Sequence, residues 1–120
     1  NTTNISNHPM IEFYSTTNNI ISDVEIKGCL FGCKNMDKKQ EAIIGVFNPI
    51  ELKSLTQIRI LENTFLGEDY IGDTIDFSNV ENSLSCVIGA NVSSNGIKIK
   101  AQSITSIWTY GQRTIYKGVE

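Results

Sequence analysis

The chain has one histidine, one tryptophan, two prolines and three alanines in 120 residues, and no long apolar run. Each scarcity excludes something. No stretch approaches the ~18 consecutive apolar residues of a membrane helix, and no basic-then-apolar segment has the form of a signal sequence. The formal charge of −3 lacks the basic surplus that binding nucleic acid requires. Lys98 and Lys100, with Trp108, Tyr110 and Arg113 further along, are too few to offset it, and they read as a solvated face. The lone histidine, His8, stands in a polar, pattern-free opening run, so neither a Ser-His-Asp nor a Cys-His arrangement can be assembled. A Gly-rich phosphate cradle and a His-Glu zinc motif are both absent. Acids cluster only at Glu68, Asp69, Asp73 and Asp76, interspersed with Gly67 and Gly72. That is the composition of an exposed loop rather than of an acid–base pair or a calcium loop. The sequence implies no metal, no cofactor and no catalysis.

What is abundant is isoleucine, with 18 copies against six leucines. With valine and threonine it brings the β-branched residues to 34. Such side chains lose rotamer freedom on a helix and pack well on a pleated surface. The expectation is an all-β, strand-dominated and mostly antiparallel domain, a small barrel or sandwich with at most one or two short helices. Residues 1–9 read as a mobile polar N-terminal segment and 10–120 as a single β-rich domain. The start at Asn1 rather than Met suggests a processed or truncated chain. Asn1, Asn4 and Asn91 head glycosylation sequons of the kind that arise by chance in an asparagine-rich chain.

Along the chain, residues 10–15 form a first strand. From Ile20 the even positions Ile20, Val24, Ile26 and Leu30 are apolar and alternate with Asp23, Glu25 and Lys27, the period of a half-buried strand. Residues 34–40 are a charged turn, and the run Ala42-Ile43-Ile44-Gly45-Val46-Phe47 reads as a more central strand. Asn48-Pro49-Ile50-Glu51 has the chemistry of a helix start, predicting one or two turns to about Leu55. A strand follows over 56–61 with Ile58 and Ile60 on one face. No internal repeat is visible.

Asn95-Gly96 between two alternating runs predicts a type I′ hairpin, pairing Val92 with Ile99, Ala90 with Ala101 and Ile88 with Ser103. Gly111-Gln112 predicts a second hairpin, pairing Trp108 with Ile115. These registers place Leu84, Ile88, Ala90, Val92, Ile99 and Ile107 on a core face. On the other face they place an apolar patch of Val87, Ile104, Trp108, Tyr110 and Ile115. Tryptophan and tyrosine concentrate at interface hot spots, so this patch is the candidate partner- or ligand-binding surface.

The three cysteines, Cys29, Cys33 and Cys86, have no metal-site spacing, and one disulfide among them is expected. The function that fits is a non-enzymatic binding domain acting through a protein partner, hetero- or homo-oligomeric, in an extracytoplasmic compartment. A small acidic cytosolic inhibitor or immunity protein is the second expectation. A lipocalin-like carrier of a small apolar ligand is the third. A disulfide supports export, whereas reduced thiols favour the cytosol.

Overall fold

The structure is a computed structural model that describes residues 10–14, 20–32, 42–47, 53–66 and 73–118. The opening segment with His8, the charged turn 34–40 with Cys33, the helix start at 48–51 and the acids Glu68 and Asp69 lie outside the described residues.

The described residues contain 13 strands and no helix. A first turn of chain runs through β1 (Ile11–Tyr14), β2 (Ile20–Lys27) and β3 (Leu30–Gly32), and a second through β4 (Ala42–Phe47), β5 (Ser54–Leu61) and β6 (Thr64–Leu66). A third comprises β7 (Asp73–Asp76), β8 (Asn82–Leu84), β9 (Cys86–Gly89) and β10 (Val92–Ser93). The last turns are β11 (Ile97–Lys100), β12 (Ile107–Tyr110) and β13 (Thr114–Lys117). Strands one turn apart stack in register. Sheet A has the order β1-β4-β7-β11-β13, sheet B the order β12-β9-β5-β2 with β8 also on β5, and sheet C the order β10-β6-β3. Every pairing is parallel. The result is a three-sided parallel β-helix whose coils shorten along the chain. The partners Ile26–Ile60, Ile60–Ile88 and Ile88–Thr109 are 34, 28 and 21 residues apart.

Isoleucine is common because the interior is built of stacked β-branched columns. Ile11, Ile44, Ile75, Ile99 and Tyr116 succeed one another across sheet A. Val24, Ile58, Cys86 and Ile107 do so across sheet B, beside Ile26, Ile60, Ile88 and Thr109. In sheet C the rings of Phe31 and Phe65 stack with centroids 4.9 Å apart. Ile44, Ile58, Ile60, Ile75, Ile88 and Ile99 are fully buried.

Two columns of left-handed residues turn the chain. Asp23, Gln57 and Ser85 (φ 60°, 55° and 53°) stack in the middle of sheet B. Each reverses the alternation, so Ile21 faces inward before the kink and Val24 and Ile26 after it, while Ile20 is exposed. The even-position reading of this strand fails at Ile20 for that reason. The second column, Gly28, Glu62, Ala90 and Gly111, marks the end of sheet B in successive coils. Gly28 N–H donates to Leu61 O, Glu62 N–H to Gly89 O and Ala90 N–H to Tyr110 O.

Immediately after each left-handed residue stands a member of a polar ladder: Cys29, Asn63, Asn91 and Gln112. Asn63 is fully buried, and its Oδ1 accepts from Cys29 N–H at 2.9 Å. Its Nδ2 donates to Ile26 O (3.0 Å) and to Asn91 Oδ1 (3.1 Å). Asn91 Nδ2 repeats the pattern toward Ile60 O (3.0 Å) and Gln112 Oε1 (2.8 Å). The corner backbone, cut off from water, finds its partners in these amides. The sequon at Asn91 is therefore a buried structural amide, not an acceptor for sugar.

The strand-rich composition is borne out, but the mostly antiparallel barrel or sandwich is not: the sheets are parallel and no barrel closes. Neither hairpin forms. Val92 pairs with Thr64 and is exposed, and Ile99 pairs with Ile75 and Tyr116. Trp108 pairs with Val87, and Ile115 with Lys98. Asn95-Gly96 does make a tight turn, with Gly96 at φ 82° and its N–H on Ser93 O. The turn delivers the chain to the next sheet instead of back along the same one. A local hairpin would pair one edge of each strand, whereas stacking between coils pairs both. Of the expected core face, Ile88, Ile99 and Ile107 are buried, while Leu84 and Val92 are exposed. The region expected to be helical up to Leu55 enters β5 at Ser54.

Candidate functional site

The outer face of sheet B carries Trp108 and Tyr110, the two most exposed aromatic residues among those described. The registers align Glu25, Arg59, Val87 and Trp108 in one outward column and Lys27, Leu61, Gly89 and Tyr110 in the next. With strands about 4.8 Å apart, each column spans roughly 14 Å. Trp108 is 70% exposed and Tyr110 52%. Tyr110 is held in place, because a Cβ built on Gly89 would collide with its ring. The glycine is thus a seat for the tyrosine rather than a turn residue. At the other end of the column Arg59 Nε donates to Glu25 Oε1 at 3.3 Å. Both side chains are half exposed, so this pair contributes little to stability. Beside it lies an open depression of about 460 Å³, lined by Asp23, Val24, Glu25, Gln57, Arg59 and Ser85. The face is therefore graded, aromatic on the terminal strand and charged on the first.

Of the five patch residues expected from the sequence, Val87, Trp108 and Tyr110 share this face. Ile115 lies in sheet A, its Cδ1 against Gly96, and Ile104 is exposed in the connection before β12. The hairpin register that grouped the five does not exist. Among the described residues the interior holds packed columns, and the sheets close no barrel. Asp73 is ion-paired to Lys117 at 3.0 Å and belongs to the end of an inner sheet A column, not to an acidic site.

Among the described residues the expected disulfide is absent, and Cys33 lies outside them. Cys29 and Cys86 are both free, at different layers of the helix. Cys86 is a member of an inner aliphatic column, where its Sγ approaches Leu55 O and Leu84 O. Burial pushes its thiol up from the ordinary value of 9.0, against a smaller lowering by a backbone hydrogen bond from Ile58. As pH rises past 9 the unfolded thiol loses its proton first, so the unfolded state gains and folding stability is lost. Wild type is expected to lose stability above pH 9 more steeply than Cys86→Val, the difference approaching about 1.4 kcal/mol per pH unit. Urea denaturation of both proteins across pH 8–11 measures it, and equal slopes would remove Cys86 from the interior.

Residues 21 to 34 positions apart compose this face, which is why Glu25, Arg59 and Gln57 were not foreseen. The signal was an apolar-x-apolar triplet recurring at shrinking intervals: Val24-Glu25-Ile26, Ile58-Arg59-Ile60 and Cys86-Val87-Ile88. Comparison with family models, with curated proteins and with solved structures finds no match for this chain.

Proposed function

We propose that the chain is a non-enzymatic binding module that engages a protein partner through the outer face of sheet B, at the Trp108 end. One observation carries the reading: the only tryptophan stands 70% exposed on an outer sheet face, beside Tyr110 and Val87. The stacked columns supply a core without it, so its place on the surface calls for another reason. Large, rigid aromatic side chains deliver contact area at low entropic cost and dominate interface energetics.

Trp108→Ala is expected to leave the unfolding free energy within about 0.5 kcal/mol of wild type. It should weaken partner binding by about 2 kcal/mol, close to thirtyfold. A photo-crosslinking residue placed at Val87 should yield a protein adduct, and the same residue at Leu66 on sheet C should not. Severe destabilisation by Trp108→Ala would assign the indole to the core and end the reading. The free thiols at Cys29 and Cys86 favour a second version of the same function, a small acidic inhibitor in a reducing compartment rather than an exported module.

A further inference from the structure

A helix of stacked coils has sheet edges only at its two ends, and such edges template pairing with other chains unless charge, bulges or shortness blunt them. Among the described terminal strands of four or more residues, β1 carries Glu12, β2 carries Asp23, Glu25 and Lys27, and β13 carries Lys117. The remaining one, β12, reads Ile-Trp-Thr-Tyr and has no charge. It is also the strand that bears Trp108 and Tyr110, the two most exposed aromatic residues among those described.

The direction of its backbone groups follows from the ladder with β9. Cys86 N–H donates to Ser106 O and Ala90 N–H to Tyr110 O. In a parallel strand the N–H and C=O of one residue point the same way and alternate along the chain. Ser106, Trp108 and Tyr110 therefore face β9, while Ile107, Thr109 and Gly111 face outward. Ile107 N–H is already bonded to Ile104 O. Thr109 presents both its N–H and its C=O at the middle of the edge.

The interior at this end is finished in polar groups. Thr109 Oγ1 and Tyr116 Oη lie 3.2 Å apart, and Gln112 Nε2 donates to Thr114 Oγ1 at 2.9 Å. Thr109, Thr114 and Tyr116 stand over Ile88, Ile97 and Ile99, so three of the columns end in hydroxyl-bearing side chains here, and a fourth ends on Ile107. A further coil with apolar inward residues would bury hydroxyls against hydrocarbon. What this end still offers is a strand edge, not a core.

We propose that β12 pairs antiparallel with β12 of a second copy about a twofold axis at Thr109; this rests on the reading of the Trp108 end as a protein-binding face. With Thr109 opposite the partner's Thr109, the two residues exchange both N–H···O bonds. The same register sets Trp108 opposite the partner's Tyr110, and Tyr110 opposite the partner's Trp108. These are close, non-hydrogen-bonded positions, where aromatic cross-strand pairs interact best. A shift of one residue would aim the wrong backbone groups across the axis and would set outward against inward side chains. One four-residue strand thus supplies both halves of each contact, as a twofold interface requires. An uncharged edge brings no like charges to that axis.

Sedimentation equilibrium of the full chain is expected to show a reversible dimer, with tryptophan emission moving to longer wavelength on dilution. Thr109→Pro removes one outward N–H, at a position where an edge strand tolerates proline, and within the coil it costs only the exposed Thr109 Oγ1–Tyr116 Oη hydrogen bond. It should weaken the dimer by about tenfold or more while the monomer's urea midpoint holds. Trp108→Lys, which adds a charge to the edge and leaves its backbone intact, should do the same, and it serves should the proline variant fail to fold. A chain that is monomeric at every soluble concentration overturns the pairing, as does a dimer indifferent to Trp108→Lys. If that monomeric chain still crosslinks another protein from Val87, the partner face stands and only the self-pairing falls.

Discussion

Replacing Asn63 by leucine is expected to lower the unfolding free energy by about 3 kcal/mol or more. The side chain is fully buried and serves three neighbours: Cys29 N–H, Ile26 O and Asn91 Oδ1. Leucine matches its size but leaves Cys29 N–H without a partner in a corner closed to water, at roughly 1–3 kcal/mol, and takes one donor each from Ile26 O and Asn91 Oδ1, at about 0.5–1.5 kcal/mol apiece. A domain of this size has about 5–15 kcal/mol in all, so the loss is a large share of the fold. Asn63→Asp makes the test specific. Its carboxylate would keep the bond from Cys29 N–H but set a negative charge against Ile26 O and Asn91 Oδ1. Burial beside two acceptors raises that carboxyl above its unfolded value, so its penalty is greatest at neutral pH and shrinks as pH falls. Urea titrations at pH 7 and pH 4 should show the gap from wild type narrowing for Asn63→Asp and constant for Asn63→Leu. A leucine variant as stable as wild type would mean that the amide ladder holds nothing together.

Ile75→Ala is expected to cost 2–5 kcal/mol, the range for truncating a buried aliphatic side chain whose surroundings only partly collapse. Ile75 is fully buried and has a column neighbour on either side, Ile44 below and Ile99 above. A hole there has packed atoms on both sides and cannot be filled from an end. Ile11, in the same column, is only partly buried on the first strand, and Ile11→Ala should cost clearly less. Denaturant midpoints of the two variants measure the contrast. Equal losses would show that the columns do not behave as stacked layers.

What was legible in the sequence is the strand content and the central place of 42–47, because β-branched residues record a pleated surface wherever its partners are. Ile58 and Ile60 were read correctly onto one face for the same reason. Pairing was not legible. Asn95-Gly96 is a good turn in isolation, and the rule that joins such turns to hairpins considers only the residues nearby. The partners of Ile99 are Ile75 and Tyr116, in other coils. The coil length changes at every step, so no fixed period shows the repeat, and the ladder position changes identity from Cys29 to Asn63 to Asn91 to Gln112. Three of the five patch residues still came out together, since outward placement of Val87, Trp108 and Tyr110 depends only on local alternation along β9 and β12. Ile104 and Ile115 entered through the false register.

The stacking of coils also decides where the molecule comes apart. Each strand touches chiefly the strands above and below it in its own sheet. Freeing an end coil breaks one interface, while opening a middle coil breaks two, so the molecule frays from its ends like a zipper instead of dissolving all at once. β12 is then both the strand offered for pairing and one of those released at least cost. A partner bound along it closes the zipper at that end, and the tightness of the grip is set as much by the coil it restrains as by the surface it covers.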